Sequence, residues 1–151
     1  MTRAHSQLLR NLLLAFVIVL GCAAASAANV LRGNSARIEA PGGMIYDSAL
    51  SAKMDMDVYR NRDNSLIFAL GTQSAANGVS AISLAAVLAG TSAGSVVKIA
   101  DRDIYAAFDG NRNRIFGVYQ AEDKMPVVLI IGDIDRNDAL KWIATLRPAG
   151  N

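Results

Sequence analysis

The apolar positions of this chain open with an unbroken block at residues 12–20 (LLLAFVIVL). A polar start carrying Arg3 and Arg10 precedes it, and small residues at 23–28 follow. A basic start, a short apolar centre and an A-x-A tract predict a secretory signal peptide over residues 1–27. A membrane-spanning helix would need about 20 apolar residues, and this run falls well short.

Beyond the signal the pattern changes. Residues 28–36 read as a flexible polar leader, and residues 37–148 as one α+β domain. Short extended pieces are expected at 37–39 and 44–46, with a helical turn at 48–52. From Met54 to Tyr59, apolar and polar positions alternate, as in a half-buried strand. Asn61 to Asn64 is turn chemistry, and the apolar run at 66–70 completes a hairpin. No charged side chain occurs between Asp63 and Lys98. Within that tract the pattern predicts a helix over 79–89, capped by Asn77 and closed by Gly90. Ile82, Leu84, Val87 and Leu88 point to more than one side, so this helix is expected to be almost wholly buried. A strand at 96–100, a hairpin of 103–108 with 114–119, and an unbroken central strand at 127–131 come next. Asp133 to Asp138 caps a last helix whose apolar stripe is Leu140, Ile143, Ala144 and Leu146. The order predicts an antiparallel sheet of about five or six strands with two helices.

The N-terminal signal allows two products. Ala25-Ser26-Ala27 suits cleavage to a soluble protein beginning at Ala28. Val19-Leu20-Gly21-Cys22 resembles a bacterial lipobox, in which Cys22 would be lipidated and tether the domain to a membrane. The expected location is periplasmic or secreted; with the lipid anchor, the protein would be an outer-membrane lipoprotein facing the periplasm.

Composition then narrows the chemistry. Removing Arg3 and Arg10 leaves 13 Lys+Arg against 13 Asp+Glu, so the exported domain is near neutral and has no general field for nucleic acid. The one histidine, His5, and the one cysteine, Cys22, both lie in the signal. Without them the domain has no imidazole base, no Ser-His-Asp or Cys-His dyad, no thiolate or imidazole metal site and no disulfide. Neither a cofactor nor a metal is expected.

Charged constellations remain. Asp55/Asp57, Asp101/Asp103 and Asp133/Asp135 are Asp-x-Asp pairs, read as strand-surface, turn and cap residues. The loop from Asp109 begins like a calcium loop but has Arg114 and Gln120 where Gly and Glu are needed. Arg60, Arg62, Arg112 and Arg114 flank the two hairpin turns. Side by side, the hairpins would join these four into one basic edge, with Tyr59 and Trp142 as aromatic anchors. These six are the expected binding residues.

Export, near-neutral charge and the missing catalytic side chains point to a non-catalytic protein-binding module of the bacterial envelope. It would act as an inhibitor or immunity-type factor, or as an accessory subunit, with an envelope protein as partner. The alternatives are a carboxylate-based cell-wall glycan hydrolase and a membrane-active or self-assembling protein using residues 78–97, where Gly90 and Gly94 form a GxxxG pattern.

Overall fold

The computed structural model describes residues 28–75, 78–90, 94–110 and 113–150. Residues 1–27, the expected signal peptide with Cys22, and Asn77 and Arg112 lie outside the described residues. In chain order the strands are β1 (Asn29–Arg32), β2 (Ala36–Ala40), β3 (Ile45–Tyr46), β4 (Asp57–Arg60) and β5 (Leu66–Ser74). They continue with β6 (Ser95–Lys98), β7 (Ile104–Asp109), β8 (Arg114–Tyr119), β9 (Lys124–Gly132) and β10 (Arg147–Pro148). Helix α1 (Ser48–Met54) follows β3, α2 (Ala81–Ala89) follows β5, and α3 (Arg136–Ile143) follows β9. All pairings are antiparallel, which gives the expected α+β class.

The described residues form ten strands and three helices, more than the five or six strands and two helices expected. They make a seven-stranded sheet in the order β3-β4-β5-β9-β8-β7-β6 and a three-stranded sheet in the order β1-β2-β10. β2, β3 and α1 fall on the short pieces expected at 37–39, 44–46 and 48–52, whereas β1 and the two-residue β10, too short for any periodicity, were not expected. The segment expected to be a flexible leader contains β1, because its Leu31 is buried and its backbone pairs with β2.

Local chemistry explains the longer elements. β5 and β9 are the two nine-residue strands, and they pair along their whole length at the sheet centre. The β4–β5 turn is closed by Asn61 N–H donating to the Leu66 carbonyl, with Asn64 left-handed at φ 60°. The alternation over 54–59 is only partly a strand. Met54 ends α1, Asp55 caps it in the left-handed region, and β4 starts at Asp57. Asp47 caps the front of α1 through the Leu50 N–H, and Asp135 caps α3 through the N–H groups of Asn137 and Asp138.

The two faces of the large sheet are covered differently. On one, Phe68, Leu70, Val128 and Ile130 cluster with Ile38 of the small sheet, Ile143 of α3 and Leu146. Gly117 lets α3 approach: a Cβ there would stand 2.8 Å from an Ile143 methyl and 2.9 Å from Val128. On the other face, α2 packs over Ala107, Val118 and Met125. It does so through Ala81, Ala85 and Ala89, one per turn, while Ile82 is 52% and Val87 77% exposed. The expected burial of the whole helix is therefore corrected. Alanines permit close approach to the sheet, and the larger side chains are left on the flank and outside. Ser80, not Asn77, is the observed N-cap. Gly90 closes the helix at φ 76°, and a Cβ on Gly94 would sit 1.9 Å from the Ala89 carbonyl oxygen. Both glycines of the GxxxG pattern are thus needed where the chain turns back on its own helix.

Candidate anion-binding hollow

The small sheet turns Leu31, Ala36, Ile38 and Ala40 inward, so the alternate positions face out. Strand register then fixes the outcome. Arg32 of β1 stands opposite Arg37 of β2, and Arg37 stands opposite Arg147 of β10. Directly paired residues share a face, and neighbouring strands lie about 4.8 Å apart, so the three arginines form a row about 10 Å long. Arg102, from the turn before β7, joins them. Together they line a hollow of ≈ 490 Å³ with Val30, Ile38, Glu39, Ala144 and Thr145.

Several backbone contacts hold this arrangement. The Arg102 and Arg147 guanidinium groups both donate to the Ala144 carbonyl, at 3.3 and 3.0 Å, and Arg147 also donates to Leu146 O. Ala144 is the C-cap of α3, so two cations meet the negative end of that helix. Thr145 Oγ1 accepts from the Glu39 N–H at 2.8 Å and donates to Trp142 O, fastening β2 to the same helix end. Tyr59 donates its hydroxyl to the Arg32 carbonyl at 2.7 Å, which holds the end of β1 against β4. Burial pushes the Tyr59 hydroxyl above its ordinary pKa, and the nearby Asp57 charge adds to the effect.

The lining carries four guanidinium groups and one carboxylate, Glu39, a net charge of +3. Among the described residues the two ion pairs within 4.0 Å are Arg60–Asp47 and Lys141–Asp138, and neither involves this hollow. Like charges placed directly across a strand pair are destabilising. Chemically, the hollow can hold an anion, because guanidinium groups present forked donors to carboxylate or phosphate oxygens.

The hairpin arginines have a different setting. Register places Arg60, Ile67, Ile131 and Arg114 in one row across β4, β5, β9 and β8. Arg60 and Arg114 thus share a face and a sheet end, with two isoleucines between them. Arg60 Nε donates to Asp47 Oδ2 at 2.5 Å, and Asp109 stands opposite Arg114. Asp47 is held below the ordinary carboxylate range, first by the Leu50 N–H and then by Arg60. Arg62 is exposed in the β4–β5 turn. Trp142 packs its ring on Phe68 at 5.5 Å between centroids, as part of the core margin. Both expected aromatic residues touch the framework of the hollow through backbone contacts: the Tyr59 hydroxyl donates to Arg32 O, and Trp142 O accepts from Thr145.

The Asp-x-Asp pairs are engaged locally. Asp57 accepts from the Asn34 N–H at 2.7 Å and ties the β1–β2 turn to β4. Asp101 is a left-handed turn residue at φ 52°, and Asp135 is the α3 cap. Among the described residues, no group of three or more His, Cys, Asp or Glu is placed to hold a metal ion. Among those residues, no helix is long and apolar enough to cross a membrane.

Sequence reasoning missed the hollow because its arginines are separated along the chain and only pairing unites them. One signal was present: Arg32 and Arg37 bracket the turn-forming Gly33-Asn34-Ser35, with Ala36, Ile38 and Ala40 alternating behind it. Compared with known proteins, the chain matches no family model, no curated protein and no solved structure.

Proposed function

We propose that the protein is an exported, non-catalytic binding module of the bacterial envelope, and that it holds its partner at the arginine hollow through clustered negative charge. The observation that carries this reading is the Arg32–Arg37–Arg147 row, joined by Arg102 and opposed within the lining only by Glu39. The α3 helix end accounts for Arg102 and Arg147, but gives no return for setting Arg37 directly between Arg32 and Arg147, whereas a complementary anion turns that repulsion into attraction. The basic start, apolar block and small-residue tract of residues 1–28 support export. In the envelope, the module acts as an inhibitor-type factor or as an accessory subunit.

The test is capture from the host's envelope fraction with C-terminally tagged wild-type protein and with Arg37→Glu. A dominant stoichiometric partner that wild type retains and Arg37→Glu loses is the expected result. A partner held equally by both, or none held by wild type, overturns the reading.

A further inference from the structure

We infer that the anion recognised at the arginine hollow is a phosphoryl group, carried as a phosphate ester or a diphosphate; this rests on the hollow being the binding surface proposed above. The first argument is charge. The lining sums to +3, from Arg32, Arg37, Arg102 and Arg147 against Glu39. One carboxylate supplies a single negative charge, whereas a phosphate ester carries about −1.5 to −2 near neutral pH, and a diphosphate more.

The second argument is the number of donors. Each guanidinium offers five N–H groups in a fixed fork, and one such fork saturates a carboxylate in the bidentate mode. A phosphoryl group presents three oxygens outward and accepts two or three guanidinium groups at once. The row supplies that number from adjacent strands. Arg102 and Arg147 are already steered by the Ala144 carbonyl, which lowers the ordering cost on binding.

Shape is the third argument. The hollow is concave, and its ≈ 490 Å³ exceeds what one phosphate fills while lying within the range of small-molecule sites. Val30 and Ala144 contribute an apolar part of the lining that can meet the carbon moiety bearing the phosphate. The phosphoryl group can belong to a soluble phosphorylated molecule or to a lipid headgroup.

Calorimetric titration with inorganic pyrophosphate at low salt tests the chemistry. Wild type is expected to bind one pyrophosphate per chain. Arg37→Gln and Arg147→Gln are expected to weaken it by about tenfold or more each, the effect of losing a charge-assisted contact. Lys124→Gln, at an exposed position elsewhere, should bind as wild type. Arg37→Gln relieves repulsion at an exposed position, so loss of folding is not its expected effect.

Co-sedimentation with phosphatidylcholine vesicles, with and without phosphatidylglycerol, separates the sources. Arg37-dependent binding to the anionic vesicles assigns the headgroup, and pyrophosphate binding without vesicle binding assigns a soluble ligand. Pyrophosphate bound equally by wild type and Arg37→Gln overturns the inference, as does failure to bind either pyrophosphate or anionic vesicles. A hexaglutamate peptide that binds more tightly than pyrophosphate and depends on Arg37 also overturns it. That last result leaves the binding-module reading standing, and the envelope capture reports on that reading separately.

Discussion

Two groups of arginines on this molecule share chemistry but differ in setting. At the hairpin end of the large sheet, Arg60 bonds to Asp47 and Arg114 has Asp109 opposite it. On the small sheet, Arg32, Arg37 and Arg147 are opposed by one another. The first group belongs to the fold's own electrostatics, since Asp47 bonds to Arg60 and register sets a carboxylate across from Arg114. The second is held in a repulsive register by backbone pairing and by the packing of Leu31, Ile38 and Ala36 behind it. A charge marks a binding surface less by its presence than by the absence of an internal counter-charge.

Replacing Arg37 by Glu separates the two settings most sharply. In the hollow it leaves Glu between Arg32 and Arg147, converting two repulsive cross-strand pairs into attractive ones. Pyrophosphate binding is expected to fall beyond detection. Stability should rise, by about 0.2–1 kcal/mol per improved pair. The corresponding change at the hairpin end, Arg60→Glu, sets a carboxylate against Asp47 and lowers stability. Urea denaturation of both variants checks the signs; a destabilised Arg37→Glu breaks the comparison.

Gly117→Val tests whether the hollow depends on the helix beneath it. A side chain there collides with Ile143 and Val128, and overpacking of this kind costs about 1–3 kcal/mol. Because Ile143 is the last residue of α3, displacement carries the Ala144 carbonyl that steers Arg102 and Arg147. Anion affinity should fall with the urea midpoint, while the Arg60–Asp47 pair, which ties β4 to the N-cap of α1, keeps its pH response. A destabilised variant with undiminished pyrophosphate affinity would show that the arginines do not rely on the helix end.

A smaller effect concerns salt. Raising ionic strength screens the exposed row over a Debye length of about 10 Å at 0.1 M. Wild type is expected to gain slightly in melting temperature between low and moderate salt, and Arg37→Gln to gain less. Equal gains in the two proteins would mean that the row does not strain the small sheet.

How far the sequence reaches into this structure follows the same division between local and distant effects. Hairpin β4–β5 was legible because Asn61, Asp63 and Asn64 carry their turn chemistry within four residues. The Asp135 cap and the unbroken apolar run of β9 were legible for similar reasons. α2 defies its hydrophobic pattern because its larger side chains do not mark its buried face. The buried stripe is Ala81, Ala85 and Ala89, spaced one turn apart, while the larger Ile82 and Val87 are exposed. The hollow required knowing that β10 returns to pair with β2, a contact between residues 37 and 147 that a two-residue strand does not announce.

The smallest expected effect comes from pH and isolates the paired region. Asp47 is held below its ordinary value of 3.8 by the Leu50 N–H and by Arg60. A carboxyl lowered on folding binds its proton more weakly in the folded state than in the unfolded one. Its stabilisation is therefore complete above the ordinary carboxylate pKa and is lost as pH falls through the lowered folded value. Asp47→Asn should flatten the decline in urea midpoint between about pH 5 and about pH 2 relative to wild type. Arg37→Gln removes no carboxyl group, so it should leave the slope of the decline unchanged. If Arg37→Gln flattens it as much as Asp47→Asn does, a carboxylate is coupled to the row and the two regions are not electrostatically distinct.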